Sequence, residues 1–184
     1  MSNIVIFIKV IAICAGLCAC GNGQKQSGTS TPSEKKEEKN YLIMKVDGKE
    51  WVAERDIFGS YHFNENLGPG LINIAGTKGN PPNDQPFNIN LYNTKEQGTY
   101  EVMIADNSQS KMHDNVAQLA QLTPSNYLCG GAMQGNQMTV KIIRVSKNPQ
   151  MVEATFSGKM QCVEGNTITI TEGKFYYHEE NDSF

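Results

Sequence analysis

Residues 87 to 91 read Phe-Asn-Ile-Asn-Leu, apolar and amide side chains in strict alternation, and that rhythm recurs along much of the chain. Met138, Val140 and Ile142 face one way while Thr139 and Lys141 face the other. Val152, Ala154 and Phe156 repeat the pattern, as do Ile168 and Ile170 between Thr167, Thr169 and Thr171. A period of two sends successive side chains to opposite faces of a strand. Each such segment is therefore half-buried and needs a second apolar layer to cover it.

Turn chemistry sorts these segments into hairpins. Leu42 to Val46 runs into Asp47-Gly48 and out through Lys49 to Ala53. Asp-Gly between two such runs predicts a tight hairpin, because both central positions need positive φ. Ile57 to Phe63, Leu71 to Gly76 and Gly98 to Ile104 add further strands, and Gly173 interrupts the last one before Phe175 to His178, which predicts a bulge. One segment reads as helix: Asp114 caps a short helix through Leu122, with Val116, Leu119 and Ala120 on one face and Pro124 as the stop. It lies in a long crossover between Ile104 and Gln137. Roughly eight to ten short strands separated by Gly, Pro and Asn turns predict an all-β fold, an antiparallel β-sandwich with a barrel as the alternative.

The N-terminus carries a different signal. Ile4 to Ala19 is apolar apart from Lys9, and about 16 residues is short of the roughly 20 a spanning helix needs. It closes on Leu17-Cys18-Ala19-Cys20, an aliphatic residue at −3 and a small one at −1 before a cysteine. That is the pattern at which bacterial lipoprotein processing acylates and cleaves. Residues 1–19 are thus expected to be a lipoprotein signal peptide, with Cys20 the lipidated first residue of the mature chain. Cys14 and Cys18 fit poorly, since Ile13 and Leu17 are too large for −1. Gly21 rather than Asp follows Cys20, which favours the outer membrane and leaves the leaflet open. Multiple acyl chains make such an anchor effectively permanent. Residues 20–40 hold Gln, Ser, Gly, Thr, Pro, Lys and Glu with no large apolar side chain after the cysteine, the composition of a flexible tether. Residues 41–184 suffice for a single domain.

Several of these pieces resemble a family of small lipoproteins of Gram-negative bacteria known as a domain of unknown function. They are Met44-Lys45-Val46-Asp47-Gly48-Lys49-Glu50-Trp51, Ile74-Ala75-Gly76-Thr77 and Gly98-Thr99-Tyr100 in the first part of the domain. In the second part they are Val140 to Arg144, Val152 to Phe156 and Ile170 to Phe175. The resemblance covers most of Leu42 to Tyr177. It implies an all-β lipoprotein domain and brings no catalytic residue with it.

With Cys14 and Cys18 leaving in the leader and Cys20 acylated, Cys129 and Cys162 remain. Two thiols in an oxidising compartment favour a disulfide. Two buried free thiols, or a metal pair, are the alternatives, though no CxxC or nearby His supports metal. His62, His113 and His178 are far apart and lack partners at metal spacing. Phe58-Gly59-Ser60-Tyr61 lacks the second glycine of a nucleophile elbow, and Gly130-Gly131 has no phosphate-loop frame. The Asn and Asp clusters at 64–66, 80–84, 106–107 and 114–115 lack calcium-loop spacing and suit turns. Trp51, Tyr61, Tyr92, Tyr100, Tyr127, Tyr176 and Tyr177 would form a sugar-stacking face if several lay exposed on one sheet; core packing is the competing reading.

The chain has 16 basic and 19 acidic residues, a net charge of −3 before Lys9 leaves with the leader, which argues against nucleic acid as a partner. The expected protein is not an enzyme and uses no cofactor or metal. It is a lipid-anchored binding or accessory module of the envelope, meeting a protein or glycan through loops at one end of the sandwich. The alternative is a structural or protective envelope protein, such as an assembly factor or an effector inhibitor.

Overall fold

In a computed structural model that describes residues 39–64, 68–94, 96–103, 114–121, 127–131 and 133–182, the described residues form eleven strands and a closing 3-10 turn. The expected signal peptide, Cys20 and the tether up to residue 38 lie outside the described residues. In chain order the strands are β1 (Tyr41–Val46), β2 (Lys49–Val52), β3 (Arg55–Asn64), β4 (Gly68–Lys78), β5 (Gln85–Thr94) and β6 (Gly98–Met103). β7 (Val116–Gln121), β8 (Tyr127–Gly130), β9 (Gln137–Lys147), β10 (Gln150–Gln161) and β11 (Thr167–His178) complete them.

Two antiparallel sheets result, one ordered β2-β1-β11-β10-β9-β6 and the other β3-β4-β5-β7-β8, and neither closes into a barrel. The alternation read from sequence sets which side chains enter the space between them. Phe87, Ile89 and Leu91 are buried from the five-stranded sheet, and Met138, Val140 and Ile142 from the six-stranded one. Each such side chain contributes about 1.5–3 kcal/mol when removed from water. Aromatic rings continue through this core. Trp51 meets Phe87 edge-on at 6.0 Å, and Phe87 stacks on Phe156 at 5.4 Å.

The hairpin expected at Asp47-Gly48 is present, with φ of 48° and 78° at its two central residues. The expected bulge also lies beside Gly173. The buried set of β11 shifts from Ile168 and Ile170 to Phe175 and Tyr177, a change of parity that one extra residue produces. Both neighbouring strands record it: Ile43 and Lys45 of β1 sit opposite Lys174 and Thr171, and Phe156 and Gly158 of β10 opposite Gly173 and Ile170. Glu172 takes up the irregularity at φ 54°.

The expected helix from Asp114 is overturned. Residues 116–121 are strand β7, paired to β5 through Leu119–Phe87 and Ala117–Ile89 and to β8 through Leu119–Cys129. Val-Ala-Gln-Leu-Ala-Gln has a helical propensity, but Ala117 and Leu119 also satisfy a period of two. The backbone groups left open along β5 decide between the two readings. Asn115, in place of a helical first turn, bridges the sheets: its Oδ1 accepts from the Tyr92 N–H at 2.8 Å and its Nδ2 donates to the Glu101 carbonyl at 2.9 Å. The supposed crossover also contains β8.

Asn40 fastens the start of the domain to its end. Its Oδ1 accepts from the His178 N–H at 2.8 Å, and its Nδ2 donates to the His178 carbonyl at 3.2 Å and to Asp182 Oδ1 at 2.9 Å.

Candidate binding cleft

Three turns meet at the far pole of the sandwich from Tyr41: the β1–β2 hairpin, the β4–β5 connection and the β10–β11 hairpin. Between them opens a cleft of about 450 Å³. Val46, Trp51 and Ile168 form its apolar part, and Asp47, Lys49, Glu50, Lys78, Gln85, Glu164 and Asn166 supply the polar part. β1 is six residues long, so the cleft lies roughly 20 Å from the point where the chain enters the domain.

The walls are held from within the fold. The Asp47 N–H donates to the Thr169 carbonyl at 2.9 Å, and Asp47 Oδ1 accepts from the Thr169 N–H at 2.8 Å, which pins the first hairpin to β11. Lys78 Nζ donates to the Glu50 carbonyl at 3.1 Å and ties β4 to β2. Gln85 Nε2 donates to Gln121 Oε1 at 2.8 Å. The third wall is clasped by the Cys129–Cys162 disulfide, which joins β8 of one sheet to the residue just past β10 of the other. Beside it the Val163 N–H donates to the Leu128 carbonyl at 2.9 Å.

One residue that lines the cleft has a donor without a partner. Trp51 is 2% exposed, and its indole Nε1 is buried without a hydrogen bond. Such a group costs free energy unless a water or a ligand supplies an acceptor. Lys49, Lys78, Asp47, Glu50 and Glu164 line the same cleft. The lining suits a small polar molecule that offers either sign of charge to the rim.

The structure joins Cys129 to Cys162, the pair left over in the sequence. Among the described side chains, a set that leaves out Tyr127, it does not gather the aromatics on one face. Trp51, Tyr61 and Tyr177 are buried, and Tyr100 packs against the core. Tyr41 and Tyr176 stack at 6.0 Å on the outer face of the six-stranded sheet with the Arg144 guanidinium 5.8 Å from the Tyr176 ring, whereas Tyr92 stands on the other sheet. His62 is exposed on β3, and His178 lies 3.9 Å from Glu180 at the end of β11. His113 lies outside the described residues. Of the Asp and Asn clusters, Asp84 is engaged by Arg55 at 2.8 Å.

Sequence reasoning found the turns but not their convergence, so Lys49, Lys78, Glu164 and Asn166 were not singled out. No family, curated protein or solved structure matches the chain in comparisons with each.

Proposed function

We propose that this chain is a non-enzymatic binding module held at the bacterial outer membrane by acyl chains on Cys20, and that it takes a small acceptor-bearing ligand, free or at the end of a protein or glycan, in the cleft around Trp51. The observation that carries this reading is a cleft of mixed charge lined by Trp51, whose buried indole N–H has no partner. Chain entry at the opposite pole supports it as well, because a domain tethered through Tyr41 presents the cleft outward.

Trp51 is the single tryptophan of the chain, so its fluorescence reports on the cleft alone. Titrating the full chain with amino acids, short peptides, organic acids and oligosaccharides is expected to give a saturable emission change for one class, which Lys78→Ala weakens. A Trp51 emission and thermal midpoint that no compound moves would refute the cleft reading. The anchor is tested separately. An alkyne fatty acid fed to the producing bacterium is expected to label the wild type and not Cys20→Ala; an unmodified thiol at position 20 would remove the anchor.

A further inference from the structure

Short side chains floor a hollow on the outer face of the six-stranded sheet. Thr139, Lys141, Thr155, Ser157, Glu172 and Lys174 line it, and it measures about 350 Å³. The hollow is open to solvent: Thr155 is half-buried and the other five are exposed.

Strand register sets two lysines on either side of it. Lys141 of β9 and Lys174 of β11 are both direct partners of Thr155, which lies between them on β10. Their backbones are therefore two strand spacings apart, roughly 10 Å. A four-carbon stem is long enough to bring each ammonium over the threonine.

Neighbouring charges on this face are matched. Lys45 Nζ meets Glu172 Oε1 at 2.6 Å, and Arg144 is engaged by Glu153. The Thr139 hydroxyl donates to the Glu101 carboxylate at 3.1 Å. The side chains of Lys141, Lys174, Thr155 and Ser157 have no such partner among the described residues.

Two ammonium groups and two hydroxyls thus share one hollow whose carboxylate, Glu172, is already paired. Like charges brought together repel, and an anion between them offsets the repulsion. A phosphate group carries about −1.5 to −2 charges at pH 7 and three strong acceptor oxygens, enough for both ammoniums and a hydroxyl. A carboxylate has one charge and two oxygens, and would leave one lysine unmatched.

We infer that this hollow binds a phosphate group, held between Lys141 and Lys174 with Thr155 and Ser157 donating to its oxygens. The group is carried by a small solute or by the headgroup of an anionic lipid. The hollow shares no lining residue with the cleft around Trp51 and does not depend on it.

Equilibrium dialysis of the detergent-solubilised full chain against radiolabelled inorganic phosphate, in a chloride background, tests the inference. Saturable uptake of a single phosphate is expected, weakening as salt rises. Lys141→Gln and Lys174→Gln are each expected to weaken it by about tenfold or more, since each removes a charge-assisted hydrogen bond. Lys174→Arg, which keeps the charge, and Lys78→Ala, which lies in the cleft, should retain it. Thermal midpoints identify the folded variants, and Ser157→Glu, which sets a carboxylate in the hollow, replaces any that fails to fold. Displacement of the label by phosphatidic acid in micelles at far lower concentration than by glycerol phosphate would identify a lipid as the source; equal displacement would identify a small solute. Absence of saturable uptake overturns the inference, as does uptake that the folded Lys141→Gln/Lys174→Gln variant retains. Loss in Lys78→Ala alone would place the anion in the cleft and overturn the inference too.

Discussion

Gln150 lies along the backbone of Tyr61, its Oε1 accepting from the Tyr61 N–H at 2.8 Å and its Nε2 donating to the Tyr61 carbonyl at 3.3 Å. One side-chain amide thereby does the work of a neighbouring strand on β3, the edge of the five-stranded sheet. Open edges recruit other chains, and proteins block them in ways such as this. Gln150→Ala is expected to cost about 1–2 kcal/mol, from two backbone groups that lose their partner. Urea unfolding measures the loss, and light scattering at raised protein concentration should show earlier association. An unchanged midpoint would mean that the amide contributes nothing.

The disulfide closes a loop with a sequence separation of 33. In the chain-entropy account that restriction contributes about 3–4 kcal/mol. Denaturation with and without reductant is expected to show a drop of this order, and Cys129→Ala/Cys162→Ala should match the reduced protein. If both thiols alkylate without reduction, the bond is absent from the native protein.

Two tyrosines give the fold an alkaline limit. Burial raises the pKa of the Tyr177 hydroxyl, and its hydrogen bond to Asp182 Oδ2 at 2.6 Å, the charge of Asp182 and that of Glu179 push the same way. Burial also raises Tyr61, with Glu96 and Tyr100 adding to the effect. An unfolded tyrosine ionises near pH 10, at about its model value. Above that pH the folded state holds protons that the unfolded state has released. The contribution is therefore whole below about pH 10 and is lost as pH climbs from there toward the folded values. Absorbance titration of the seven tyrosines should show a class that ionises only on unfolding, smaller in Tyr177→Phe. All seven titrating together on an intact fold would contradict this.

Gly173 has no room for a side chain, since a Cβ there would meet the Phe156 ring and its carbonyl oxygen. Gly173→Ala is expected to destabilise by about 1–3 kcal/mol through overpacking. Chemical denaturation would show it, and a variant as stable as the parent would mean that Phe156 can move aside freely.

Much of the fold was legible because burial imposes a period of two. Phe87, Ile89 and Leu91 show their strand in five letters, and the parity break at Gly173 announced its bulge. Asp47-Gly48 declared a hairpin by its backbone alone. Val116 to Gln121 misled because its local preference and its place in the sheet disagree, and the place depends on β5, some 25 residues earlier in the chain. Short β8 carries too few residues to show a period. The cleft was least visible, since its lining comes from three turns whose meeting is a property of strand order. Trp51 stood out as an aromatic, but only its position reveals an indole N–H with nothing to bond.

By holding the opening of β1 against the close of β11, Asn40 brings head and tail of the domain together. A short linker from residue 182 to residue 39 would join them with little displacement, and the chain could be reopened between Glu96 and Gln97, both exposed. Such a circular permutant would start with β6 and finish with β5 while keeping every strand pairing. The order in which the ribosome delivers these strands is then separable from the architecture they build.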